Sequence, residues 1–80
     1  MIKVSVLLAD GFEEIEALTA VDLLRRARIY VDTISITDDY TVHGAHGINV
    51  QTEDLFDEVD FSESDMIVLP GGMPGTTNLK

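Results

Sequence analysis

The sequence predicts an α/β fold built on an open, mostly parallel sheet, and three observations carry that expectation. Two apolar runs, Val4-Ser5-Val6-Leu7-Leu8 and Met66-Ile67-Val68-Leu69, read as strands buried on both faces. Each run leads straight into a chemically distinctive loop: the acidic stretch Asp10-Gly11-Phe12-Glu13-Glu14-Ile15-Glu16 after the first, and Pro70-Gly71-Gly72 after the second. Between the first run and the next strand lies a segment with helical periodicity. In sheets of this kind the carboxyl ends of the strands form the edge where ligands bind and chemistry is done.

Residues 2–8 form the first strand, continuously apolar towards its end as a central parallel strand should be. Asp10 is the expected helix cap, spaced like a capping box with Glu13, and the acidic first turn suits the positive end of the helix dipole. A helix over residues 11–27 follows, with Ala17, Ala20, Val21, Leu24 and Ala27 as its apolar stripe. On that wheel Glu16 borders the buried stripe, whereas Glu14 points away.

Residues 31–37 alternate as a second strand with Ile34 and Ile36 on one face. Residues 41–43 and 48–51 read as short strands flanking Gly44-Ala45-His46-Gly47, a hairpin-like insertion. Residues 53–65 are expected to be a loop with a helical turn that packs Phe56 and Phe61 against the core. Residues 66–69 form the third parallel strand, whose ladder Pro70 ends because it has no amide to donate. A further helix opens over residues 74–80.

Eighty residues make one domain at most. A chain of this size buries only about 60–65% of its unfolded surface, so a partner or a further segment is expected to cover it. Fifteen acidic residues against five basic ones give a net charge of −10, which disfavours nucleic acid and anionic membranes. With no cysteine there is no disulfide, no thiolate metal site and no thiol nucleophile within these residues, and the composition fits a reducing cytoplasm. The first apolar run, broken by Lys3 and Ser5, is too short for a signal peptide or a membrane span.

The acidic loop on its own is also what an ordinary solvated helix start looks like. What singles out Glu16 is its inward placement. A carboxyl held against apolar surface has its pKa raised, so it can keep a proton near neutrality and hydrogen-bond a thiolate or a substrate oxygen. Gly71 and Gly72 can bring backbone amides close to a developing oxyanion, although glycines also serve plain strand-to-helix turns. His43 and His46 lie three apart, but such a pair on a turn seldom chelates, and no metal site is predicted. His46 reads more readily as a polar contact to a partner chain. Neither G-x-G-x-x-G nor G-x-x-x-x-G-K-[ST] follows the first strand, and an anionic loop there repels phosphate. Dinucleotide, nucleotide-hydrolysis and flavin readings are therefore set aside. A phospho-receiver needs an aspartate at the end of the third strand, where Pro70-Gly71-Gly72 stands.

Taken in order, Val6-Leu7-Leu8-Ala9-Asp10-Gly11-Phe12-Glu13-Glu14-Ile15-Glu16, Asp22-Leu23-Leu24-Arg25-Arg26-Ala27 and Ile67-Val68-Leu69-Pro70-Gly71-Gly72 resemble the DJ-1/ThiJ/PfpI superfamily, most closely its DJ-1 and YajL branch. The likeness runs over essentially all 80 residues and covers the amino-terminal portion of a family domain. It implies a flavodoxin-like three-layer sandwich, usually a cytoplasmic homodimer, with a cysteine nucleophile on a strained elbow that would follow Lys80. Activities in the family include glyoxalase, deglycase, peptidase, chaperone and oxidative-stress functions, the catalytic ones using a thiolate that attacks an electrophilic carbon, and a small reactive carbonyl compound is the substrate this implies. No cofactor is implied. By this resemblance Glu16 matches the glutamate that contacts the cysteine, and Gly71 and Gly72 match the turn whose amides face it. Glu13 and His46 fall at the dimer-side rim of the pocket, His46 where several members carry arginine. Arg28 stands where the family commonly has glycine at the helix end. The rival reading is a non-catalytic acidic module that uses the same half-fold for oligomerisation.

Overall fold

The computed structural model describes residues 2–70. Gly71, Gly72 and the helix expected over residues 74–80 lie outside the described residues.

The most apolar run becomes the centre of the sheet. Strand β1 (Lys3–Leu8) pairs in parallel with β2 (Tyr30–Ser35) on one side and with β6 (Met66–Val68) on the other. A two-residue strand, β5 (Asp54–Leu55), adds in parallel to the outer side of β2, and the order is β5-β2-β1-β6. Two neighbours and covered faces explain why β1 tolerates almost no polar residue. Beyond Lys3 at its start the exception is Ser5, fully buried and satisfied by a 2.5 Å hydrogen bond between its hydroxyl and that of Ser64.

Helix α1 (Glu14–Arg26) lies across one face, where Ala17 and Val21 pack with Val4, Val6, Leu8 and Val31. Small side chains at the contact let helix and sheet approach closely. The helix begins three residues later than the sequence suggests, and its buried stripe is narrower: Ala17 and Val21 are buried, Ala20 and Leu24 partly so, and Ala27 is exposed. At its far end the chain turns back through Arg28, which takes the left-handed conformation with φ 63°. The Arg28 amide donates to the Arg25 carbonyl and the Ile29 amide to the Leu24 carbonyl, closing the helix in a Schellman arrangement.

Strands β3 (Thr41–His43) and β4 (Asn49–Gln51) form the expected hairpin as a separate antiparallel sheet, with Val42 opposite Val50. Val42 and Phe12 join the core beneath α1.

The segment between β4 and β6 departs from expectation in two ways. It contributes β5, held because the Glu53 amide donates to the Thr33 carbonyl and Glu53 accepts from Arg25 at 2.6 Å. Its aromatics sit in two 3-10 turns, Phe56–Glu58 and Phe61–Glu63, and stack on each other at 5.1 Å between ring centres rather than entering the core. Phe56 is exposed and Phe61 only partly covered. Among the described residues no helix is long and apolar enough to cross a membrane.

Candidate active-site edge

The first loop leaves β1 through a four-residue turn, Ala9 to Phe12, closed by the Phe12 amide donating to the Ala9 carbonyl at 3.0 Å. Its third residue must adopt positive φ, and Gly11 does so at 89°. The same loop is stitched to the β3–β4 hairpin. The Gly11 amide donates to the His43 carbonyl at 2.7 Å, the Ala45 amide to the Phe12 carbonyl at 2.9 Å, and the His43 amide to the Asp10 carboxylate at 3.0 Å. Asp10 therefore serves the hairpin, not the helix. The cap falls to Glu13, whose Oε1 accepts from the Ile15 amide at 3.3 Å.

The observed helix exchanges the predicted roles of two acids. Glu14 precedes Ala17 by three residues and Val21 by seven, so it lies on their side of the helix and is buried. Glu16 sits about 160° further round and is exposed within this chain. The expectation that Glu16 borders the buried stripe while Glu14 points away is thus corrected.

Glu14 is wrapped by donors from the hairpin loop. Its carboxylate accepts from the His46 amide at 2.6 Å, the Ile48 amide at 3.2 Å and the His46 ring nitrogen Nδ1 at 2.9 Å. Burial pushes this carboxyl up, but the His46 ring and the amides of Glu14, His46 and Ile48 outweigh it and bring the pKa down to about 2. Gly44 makes the approach possible, since a Cβ there would collide with the Glu14 carboxyl.

His46 itself is open to solvent, with Nδ1 also 3.8 Å from Glu13 Oε2. The hydrogen bond to Glu14, and then the charges of Glu13 and Glu14, raise its pKa above the usual histidine value. Glu13 and His46, placed together at the rim by resemblance, are therefore neighbours in space. His43 does not share this centre: its Nδ1 lies 2.8 Å from Asn49 Oδ1. Glu13, Glu14 and His46 bring three possible metal-ligand atoms within 4.8 Å of one another, although Glu14 and Nδ1 are already engaged by hydrogen bonds.

Asp32 escaped the sequence reading. It lies buried on β2, and desolvation, a hydrogen bond to Asp54 and the charges of Asp54 and Glu53 push its pKa up to about 6 against a lowering influence of Lys3. An acid in the middle of the strand sequence YVDTIS was the available signal.

The DJ-1/PfpI family pattern matches residues 2–80. Among curated proteins, DJ-1 homolog B of Arabidopsis thaliana is 37% identical over 78 residues, covering 98% of this chain and 18% of its own length. A deglycase of Thermococcus kodakarensis, TK1284, is 38% identical over 72 residues, covering 88% of this chain and 42% of its own length. Among solved structures, the DJ-1 superfamily protein STM1931 of Salmonella typhimurium, a cysteine-to-alanine mutant, superposes with a TM-score of 0.94 at 42% identity, over 99% of this chain and 43% of that one. Oxidized DJ-1 of Toxoplasma gondii gives 0.90 at 40% identity, over 94% of this chain and 41% of that one. The chain thus spans less than half the length of each of these relatives, and its flavodoxin-like α/β architecture is theirs.

Proposed function

The chain belongs to the DJ-1/PfpI family, and from that premise we propose that it is the amino-terminal portion of a cysteine-dependent domain acting at an electrophilic carbon of a small reactive carbonyl compound. The observation that carries this reading is the family match over residues 2–80 in a chain without cysteine that spans 43% of its Salmonella relative. The nucleophile then belongs to the remainder of the domain, and these residues supply its surroundings.

In that domain Glu16 meets the approaching sulfur, and a hydrogen bond from its carboxyl to that sulfur favours the thiolate. The amides of Gly71 and Gly72 face the oxyanion. The assembled domain works as a cytoplasmic homodimer without a cofactor. The open β6 edge, where Met66 and Ile67 are exposed, is where the remainder docks.

Denaturing intact-mass analysis of the source material, followed by a methylglyoxal assay of the purified protein before and after thiol alkylation, tests the reading. A cysteine-bearing remainder and alkylation-sensitive turnover are expected. Cysteine-independent turnover, or source material consisting only of this 80-residue chain, would overturn it. A second reading, a non-catalytic oligomerisation module, draws on the exposed apolar residues Ile15, Leu18 and Leu23 of α1. Self-association of this chain with no thiol-dependent activity in any complex would favour it.

A further inference from the structure

The Glu14–His46 pair is asymmetric in a way that a simple strut between hairpin and helix does not require. The carboxylate side chain is 3% exposed and the imidazole 69%. Two backbone amides occupy Glu14 Oε2, which leaves Oε1 for the ring at 2.9 Å. An ionised carboxylate only accepts, so Nδ1 must carry hydrogen whether the ring is neutral or charged. In the neutral ring the lone pair is therefore on Nε2, across the ring from Glu14. A buried carboxylate that fixes the tautomer and orientation of an exposed imidazole is the arrangement by which an acid makes a histidine into a general base.

Position adds to the argument. The hairpin loop carrying His46 lies against the loop that leaves the carboxyl end of β1, through the Phe12–Gly44 bridge and the Ala45 bond to Phe12. That is the edge at which parallel sheets place their chemistry, and Glu16 stands in the adjoining first turn of α1. The charged groups that act on the ring are Glu13 and Glu14, both of which favour its protonated form.

We propose that His46 is a proton-transfer residue of this edge, with Glu14 as its positioning residue, acting on a small carbonyl compound that carries a C–H bond next to the carbonyl. Only the substrate class rests on the family reading above. In the step, Nε2 takes the proton from that carbon, and the C–H electron pair becomes the carbon–carbon double bond of an enolate. The carbonyl π electrons move onto oxygen, and the imidazolium formed is balanced by the Glu14 carboxylate. Return of the proton restores both partners, so no oxidant or reductant is needed.

Hydroxyacetone in D2O with the complete domain tests this, the loss of its CH2 signal in proton NMR reporting exchange. The wild-type protein is expected to exchange roughly 100-fold faster than His46→Gln, with a rate that climbs as pH rises through the ionisation of His46. Nitrogen-15 NMR of the unmodified protein keeps the proposal falsifiable if the variant does not fold, since the neutral ring should carry its hydrogen on Nδ1. Equal exchange by wild type and a folded His46→Gln, or a neutral ring protonated on Nε2, would overturn the proposal. His46-dependent exchange in a domain that does not consume methylglyoxal would sink the cysteine reading and leave this one standing. Thiol-dependent consumption without His46-dependent exchange would do the reverse.

Discussion

Glu14 and Asp32 are both buried, one at the start of a helix and the other in the middle of a strand, yet their surroundings drive them in opposite directions. Desolvation raises the pKa of each. At Glu14 ring and amide N–H groups converge on the carboxylate and win, bringing it to about 2. At Asp32 the neighbours are Asp54 and Glu53, whose influence adds to desolvation and brings it to about 6. Burial alone decides neither outcome. What decides is whether the element packed alongside turns donors or further acids toward the carboxyl.

The largest test of that contrast is Glu14→Ala, which leaves the His46 and Ile48 amides without the carboxylate that accepts from them and releases the exposed His46 ring. Unmet buried donors are costly, so the melting midpoint of the complete domain should fall by roughly 10 °C or more. The loss should be accompanied by rapid hydrogen exchange at the Ile48 amide. A melt within a degree or two of wild type would show that the hairpin holds without the clasp. Next in size is Gly44→Ala, which leaves every donor in place but sets a methyl group against the Glu14 carboxyl. Overpacking of this kind should cost about 2 kcal/mol by denaturant titration.

The two acids also predict opposed pH windows. Glu14 has its folded pKa below the unfolded 4.5, so its contribution is complete above that value and is lost as pH falls toward 2. Asp32 has its folded pKa above the unfolded 3.8, so its contribution is complete below that value and is lost as pH rises through about 6. Asp32→Asn should therefore remove the decline between these two values and make the variant more stable than wild type at pH 7. Denaturant midpoints across the pH range check this, and a decline between 3.8 and about 6 that persists unchanged in the variant would refute the assignment.

The same contrast explains what could be read in advance. Strands β1 and β6 were legible because long apolar runs leave few alternatives, and the hairpin because glycines mark its loop. Strand β5 was not, since two residues, one of them Asp54, carry no period and are placed by the register of Ile34 opposite Asp54. The displaced helix start has a similar origin. Local capping rules favoured Asp10, but contacts more than thirty residues apart in sequence drew Asp10 and Gly11 to His43 and moved the helix start. The wheel itself already sets Glu14 three and seven residues before the buried Ala17 and Val21, whatever residue the helix starts on. What periodicity does not show is the set of donors from His46 and Ile48 that holds Glu14 in the buried position.

At the opposite end of α1 the local rule was legible and leads to the smallest effect. Arg28 stands at the helix end in the left-handed region, where a Cβ is unfavourable and glycine is not. Its amide bond to Arg25 and that of Ile29 to Leu24 are backbone bonds that glycine would keep. The side chain is exposed, so little packing is lost with it. Against this gain stands the greater freedom glycine gives the unfolded chain, which offsets part of the relief. Arg28→Gly should accordingly stabilise the domain by about 1 kcal/mol or somewhat less, read as a higher denaturant midpoint at unchanged slope. A loss of stability would mean that the Arg28 side chain contributes something its exposure does not reveal. An altered pH dependence, by contrast, is not expected, because the groups that act on the two carboxyls are Asp54, Glu53 and Lys3 at one and His46 and Ile48 at the other, not Arg28.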